Sequence, residues 1–169
     1  RDVGWQQLGY DETHFMQDFP TQETYGARPY QTDSATYRDW QALYEAMPAD
    51  KPRFSFLVSI QTHGDYTMND DTQNIVHAAA DYGAFDHTMD EYLSCVQMSD
   101  AAFGELCGYF TDLYARTGRK VIVAMAGDHA PSFVAHVSDP ALGQGSELTL
   151  LQRSTPFVIW ANYPLPHAD

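Results

Sequence analysis

Between residues 86 and 116, apolar side chains recur at spacings of three, four and seven: Met89, Leu93, Val96, Phe103, Leu106, Phe110 and Leu113. That period lines one side of a long helix. Thr117, Gly118, Arg119 and Lys120 close it, since glycine suits a left-handed stop and basic side chains suit the negative helix end. A shorter helical pattern sets Tyr37, Trp40, Leu43, Tyr44 and Met47 on one side. Asp33 or Ser34 is positioned to cap it, and Pro48 and Pro52 end it. Three other runs are apolar almost throughout: FSFLVSI (54–60), VIVAMA (121–126) and TPFVIWANY (155–163). Short runs of this kind read as buried strands. Residues 1–33 are irregular and read as a connection, 69–81 carry little signal, and 138–147 read as a loop.

The order is therefore strand, long helix, strand, loop, strand. A strand–helix–strand unit implies a right-handed crossover and a parallel sheet, so the fold class is α/β, with a mainly parallel sheet and flanking helices. The three strands are expected to share one sheet, with the long helix on one face. In such sheets the functional edge lies past the carboxyl ends of the strands. Two strands run straight into polar loops there: QTHGDY (61–66), with His63, and GDHAPSF (127–133), with Asp128 and His129.

Length and charge narrow the picture. The 169 residues are one domain's worth and enough to bury a core. The chain starts at Arg1 without an apolar leader, so it reads as an excised piece whose signal or anchor was lost or never present. No run approaches the ~20 apolar residues of a membrane span, so the piece is expected to be soluble. With 23 acidic and 9 basic residues the formal net charge is −14. That argues against nucleic-acid or anionic-membrane partners, which are held by Lys and Arg. The acidity serves solubility, or some of the carboxylates hold a cation. Cys95 and Cys107 lie twelve residues apart on the long helix, about 18 Å of rise. They can neither pair nor share a metal, and both read as small helix residues.

Gly127 and Pro131 favour a turn that brings Asp128 and His129 round to one ion, a hard oxygen beside a nitrogen suited to zinc or manganese. The same letters also suit a turn that merely caps the next stretch of chain. His63 alone would be an ordinary surface histidine; its placement parallel to His129 makes it a site candidate. His14, His77, His87, His136 and His167 lack such context. Asp65, Asp70 and Asp71 read as a solvated acidic loop, and Trp40, Tyr44, Phe54 and Phe56 as core. No nucleophile elbow, phosphate-binding loop or H-E-x-x-H motif is present. The site looks half built: a histidine and two metal ligands, with nothing to attack.

The THGDY loop, the helix with MSDAAFGEL (98–106), AGDHAPSF, and RSTPFVIWANY (153–163) succeed one another in a recognisable order. Over residues 1–163 this pattern resembles the carboxyl-terminal part of lipoteichoic acid synthases and related phosphoglycerol transferases, members of the sulfatase and alkaline phosphatase superfamily. The resemblance implies that residues 1–169 are the carboxyl-terminal portion of a sulfatase-like catalytic domain. It assigns Asp128 and His129 to a divalent metal, usually manganese, with zinc or magnesium as alternatives and with the site empty in an isolated piece. It assigns His63 to the polar head group of the substrate, although Asp65 and Tyr66 replace the family's Pro and Phe. Arg1, followed by Asp2, matches the end of a Trp-Asn-Arg-Asp stretch that touches phosphate. Phe133 stands where some members carry a serine, with Ser132 one place earlier.

The family's nucleophilic threonine and its further acidic metal ligand lie upstream, so no catalytic nucleophile is expected in this chain and the piece alone should be inactive. The implied full-length protein is a transferase of the phosphoglycerol or phosphoethanolamine type. It would act on a lipid-linked phosphodiester such as phosphatidylglycerol, at the extracytoplasmic face of the cell membrane, in cell-wall chemistry. The missing amino-terminal half is then the main partner. A sulfatase-like or phosphatase-like hydrolase on the same scaffold is the alternative enzyme. A non-catalytic domain binding a polyanion or a partner is the alternative of another class.

Overall fold

Helix α1 spans Asp33–Ala46 and opens on Thr32, whose side chain accepts from the Ala35 amide. The cap is thus one residue ahead of the expected Asp33 or Ser34. Helix α2 spans Asp86–Thr117 and stops at Gly118, which takes the left-handed conformation at φ 70°, as the sequence indicated. Short 3-10 turns at Met16–Asp18, Asp71–Gln73, Gly83–Phe85 and Ser132–His136 punctuate the connections. Strands β1 (Ile122–Ala126) and β2 (Phe157–Ala161) complete the regular structure. The computed structural model describes residues 4, 5, 7–136, 149, 150 and 153–165. Arg1, His167 and the loop expected at 138–147 lie outside them.

The core forms where the two helices meet. Tyr44 of α1 packs with Leu106, Phe110 and Leu113 of α2, and Trp40, Tyr37, Val123 and Trp160 close around them. The inner stripe of α2 changes character along its length. Toward its carboxyl end it is apolar; toward its amino end it carries Glu91, Ser94 and Cys95, all buried.

The structure is mixed helix and sheet, as the sequence reading holds, but the pairing differs from the expected parallel sheet. Strands β1 and β2 run antiparallel, with Val123 opposite Trp160 and Ala124 opposite Ile159. The chain leaves β1 at Ala126 and re-enters at Phe157, its ladder partner, so it returns at the same edge and reverses direction. Residues 54–60, expected as a buried strand of this sheet, form no strand. A ladder needs a neighbour to satisfy its alternate N–H and C=O groups, and no described strand lies alongside. Phe54 and Phe56, expected in the core, are exposed instead. Phe54 packs against Tyr10 and Phe56 against Trp5, with ring centroids 6.1 and 5.5 Å apart.

One face of the β1–β2 pair is covered and one is bare. Val123 and Trp160 face the helices. Directly opposed residues of antiparallel strands share a face, so Ile122, Ala124, Ala126, Phe157 and Ile159 lie together on the other. Ile122, Phe157 and Ile159 on that face are all exposed.

Candidate metal and head-group site

The two polar loops singled out in the sequence meet through an aromatic cluster. Tyr66 lies 5.7 Å from Phe133 and 5.2 Å from Tyr92 between ring centroids, and Tyr92 lies 5.6 Å from Phe133. All three contacts are edge-to-face, the favoured geometry for aromatic rings. Tyr66 ends the His63 loop and Phe133 ends the Asp128 loop, so the cluster joins the two at one edge of the molecule. The Tyr66 hydroxyl is pushed up to about 12 by burial, with the nearby Asp128 carboxylate adding to the effect and Arg28 opposing it. Phe133 thus serves as packing, where the resemblance placed a serine contact.

Gly127 lets strand β1 end tightly against the entry to β2. Its N–H donates to Pro156 O at 3.1 Å, and its carbonyl accepts from Thr155 Oγ1 at 2.8 Å. A Cβ at Gly127 would lie 3.1 Å from Thr155 Cβ, closer than ordinary contact. The chain then turns. The His129 amide donates to Asp128 Oδ1 at 2.8 Å, and His129 Nδ1 lies 3.0 Å from Ala130 O. A carbonyl only accepts, so Nδ1 carries a hydrogen, and in the neutral ring Nε2 is the lone-pair nitrogen. That Nε2 lies 3.5 Å from Asp128 Oδ2, and both side chains are open to solvent.

This arrangement fits a divalent metal. Imidazole nitrogen and carboxylate oxygen converge, and the second ring nitrogen is fixed by a backbone carbonyl, as in metal-ligating histidines generally. Asp128 and His129 could offer the ion one ligand atom each. Among the described residues no group of three or more His, Cys, Asp or Glu side chains is placed to hold an ion.

His63 is held in a similar way. Its Nδ1 lies 2.7 Å from Gly64 O and 3.1 Å from the Tyr30 hydroxyl, which itself donates to Gly64 O at 2.8 Å. Nδ1 is again the donor, and in the neutral ring Nε2 is left as the acceptor on an exposed side chain. Asp70 caps a 3-10 turn through Thr72, and Asp71 pairs with His87, so this acidic stretch is more ordered than a plain solvated loop. His77 pairs with Asp90 at 2.7 Å. Burial pushes the Cys95 thiol up to about 11 and raises that of Cys107 as well, so both favour the protonated form.

Sequence reasoning missed Arg28, Tyr30 and Glu91, which support the His63 loop from beneath. Arg and Glu are usually exposed, so composition gives no hint of a buried pair. The available signal was spacing: Glu91 falls on the same helical stripe as Cys95 and Ala102.

The sulfatase family model matches residues 3–168. No curated protein matches the chain. Among solved structures, it is similar to the Streptococcus pyogenes phosphoglycerol transferase GacH in complex with sn-glycerol-1-phosphate, at TM-score 0.66 and 14% identity. The match covers 96% of this chain and 40% of that one. With a fold of that kind, and with a family match spanning nearly its whole length, the chain belongs to the sulfatase family.

Proposed function

We propose that this chain is the carboxyl-terminal portion of an extracytoplasmic, metal-dependent transferase of the phosphoglycerol or phosphoethanolamine type. The observation that carries the reading is the pair at the end of β1: His129 Nε2 and Asp128 Oδ2, 3.5 Å apart, with His129 Nδ1 anchored on Ala130 O. Asp128 and His129 would hold the divalent ion, manganese in this reading. The ion would lower the pKa of a nucleophile and offset charge on phosphorus.

His63 presents Nε2 from the adjoining loop. It would accept a hydrogen bond from a hydroxyl of the glycerol-like head group or take part in proton transfer. Arg1 would add a phosphate contact. An upstream threonine hydroxyl would attack the phosphorus of a lipid such as phosphatidylglycerol, forming a threonine O–P bond as the P–O bond to diacylglycerol breaks. The threonine proton would pass to the diacylglycerol oxygen, and an acceptor hydroxyl would then take the phosphoglycerol group and return a proton to the threonine. The bare face of the β1–β2 pair and the unpaired segment 54–60 would be covered by the amino-terminal half. A cell-membrane location for the full-length protein is the corollary of its lipid substrate.

The test is turnover of phosphatidylglycerol by the full-length protein with manganese, with product diacylglycerol measured. His63→Ala should lower turnover roughly 100-fold, within the usual range for a lost acid–base group. If the wild type leaves the lipid intact but hydrolyses sulfate or phosphate monoesters, the hydrolase reading replaces this one.

A further inference from the structure

His63 sits on a loop whose backbone is held by a buried ion pair. Arg28, 1% exposed, pairs through Nη1 with Glu91, 0% exposed. The same Nη1 donates to Asp65 O at 2.8 Å. Nη2 donates to the carbonyl of His63 itself and reaches Gln61 O at 3.4 Å. The guanidinium carbon lies 5.4 Å from the Tyr30 ring centroid and 5.2 Å from that of Tyr66. Glu91 uses its second oxygen on the amides of Met68 and Asn69, at 3.0 and 2.9 Å. One pair therefore binds three carbonyls, at 61, 63 and 65, and two amides, at 68 and 69.

A buried ion pair is weak evidence of added stability, because desolvation offsets the attraction; its best-supported use is to specify one conformation. The conformation specified here is that of the loop carrying His63. The planar fork of arginine spreads five donors in fixed directions, so it spans acceptors on separate stretches of chain that the compact, three-donor ammonium of lysine does not reach in the same geometry. Two residues further on, Tyr30 holds the imidazole directly. We propose that Arg28, clamped by Glu91, is the positioning residue for His63. It fixes the backbone of the 61–65 loop so that Nε2 meets the polar head group of a glycerol phosphate. The proposal rests on the functional reading of His63, and its structural half stands apart from it.

The experiment uses the full-length protein and the variants Arg28→Lys, Glu91→Gln, His63→Ala and Arg28→Lys with His63→Ala. Amide hydrogen exchange is monitored by mass spectrometry, with bound manganese and affinity for sn-glycerol-1-phosphate measured in parallel. Arg28→Lys and Glu91→Gln should speed exchange in peptides spanning 61–66 at least tenfold, while peptides from 106–113 and the manganese content stay unchanged. Affinity for sn-glycerol-1-phosphate should fall about tenfold in Arg28→Lys, and the double variant should be no weaker than His63→Ala. Unchanged exchange in 61–66, equal acceleration throughout the protein, or additive losses in the double variant would overturn the proposal. If Arg28→Lys does not fold, Glu91→Gln decides by the same readouts. If His63→Ala binds glycerol phosphate as the wild type does, the substrate role of His63 falls, and exchange at 61–66 alone decides whether Arg28 orders the loop.

Discussion

Tyr66 and Phe133 meet edge-to-face with ring centroids 5.7 Å apart, although 66 residues of chain separate them. Each closes one of the two polar loops, so this contact ties the loop of His63 to the loop of Asp128 and His129. Both rings are buried.

Phe133→Ala should therefore act on stability and on the site together. Removing a buried phenylalanine costs about 3 kcal/mol, which denaturant unfolding will read. The variant should also bind sn-glycerol-1-phosphate less tightly than the wild type, with manganese binding little changed. Unchanged glycerol phosphate affinity in a folded Phe133→Ala protein would show that the cluster does not align the loops.

The bare sheet face gives a second expectation. Ile159 lies opposite Ala124 on the face turned away from the helices and is exposed. Apolar surface gathered in this way marks an interaction site. If the amino-terminal half covers it, Ile159→Lys in the full-length protein buries an unpaired charge and should lower the melting temperature by several degrees. A melting temperature equal to the wild type's would mean that the face stays in water.

Stability should fall at high pH. Burial pushes the hydroxyls of Tyr37, Tyr66 and Tyr109 up to about 12, with Asp33 adding at Tyr37 and Glu45 at Tyr109. The folded-state pKa is thus above the ordinary value of about 10. Between pH 10 and 12 the unfolded chain has released protons that the folded chain still holds, so stability is complete below pH 10 and is lost as pH rises through 12. Urea midpoints from pH 9 to 12 will show this, and Tyr37→Phe should flatten the decline.

Much of the fold was legible because its signals are local. The period of Leu106, Phe110 and Leu113 identifies α2, and Gly118 ends it. His63 and Asp128–His129 stood out because each comes after an apolar run, at its polar end. The strand expected at 54–60 was not decidable in this way, because pairing depends on a neighbour that local sequence does not reveal. Phe54 and Val58 have the right chemistry for a strand, yet both lie open to solvent. The Arg28–Glu91 pair was hidden for a related reason. Its partners are 63 positions apart, and nothing in either residue's neighbourhood announces the other.

The central claim is that Asp128 and His129 hold the divalent ion while His63 serves the substrate. The most direct measurement is equilibrium manganese binding to the full-length protein and three variants, read by elemental analysis after chelation and reconstitution. Asp128→Ala and His129→Ala should each weaken manganese binding by at least tenfold, and His63→Ala should bind it as the wild type does. Manganese held unchanged by both Asp128→Ala and His129→Ala, or lost from His63→Ala, would contradict the account.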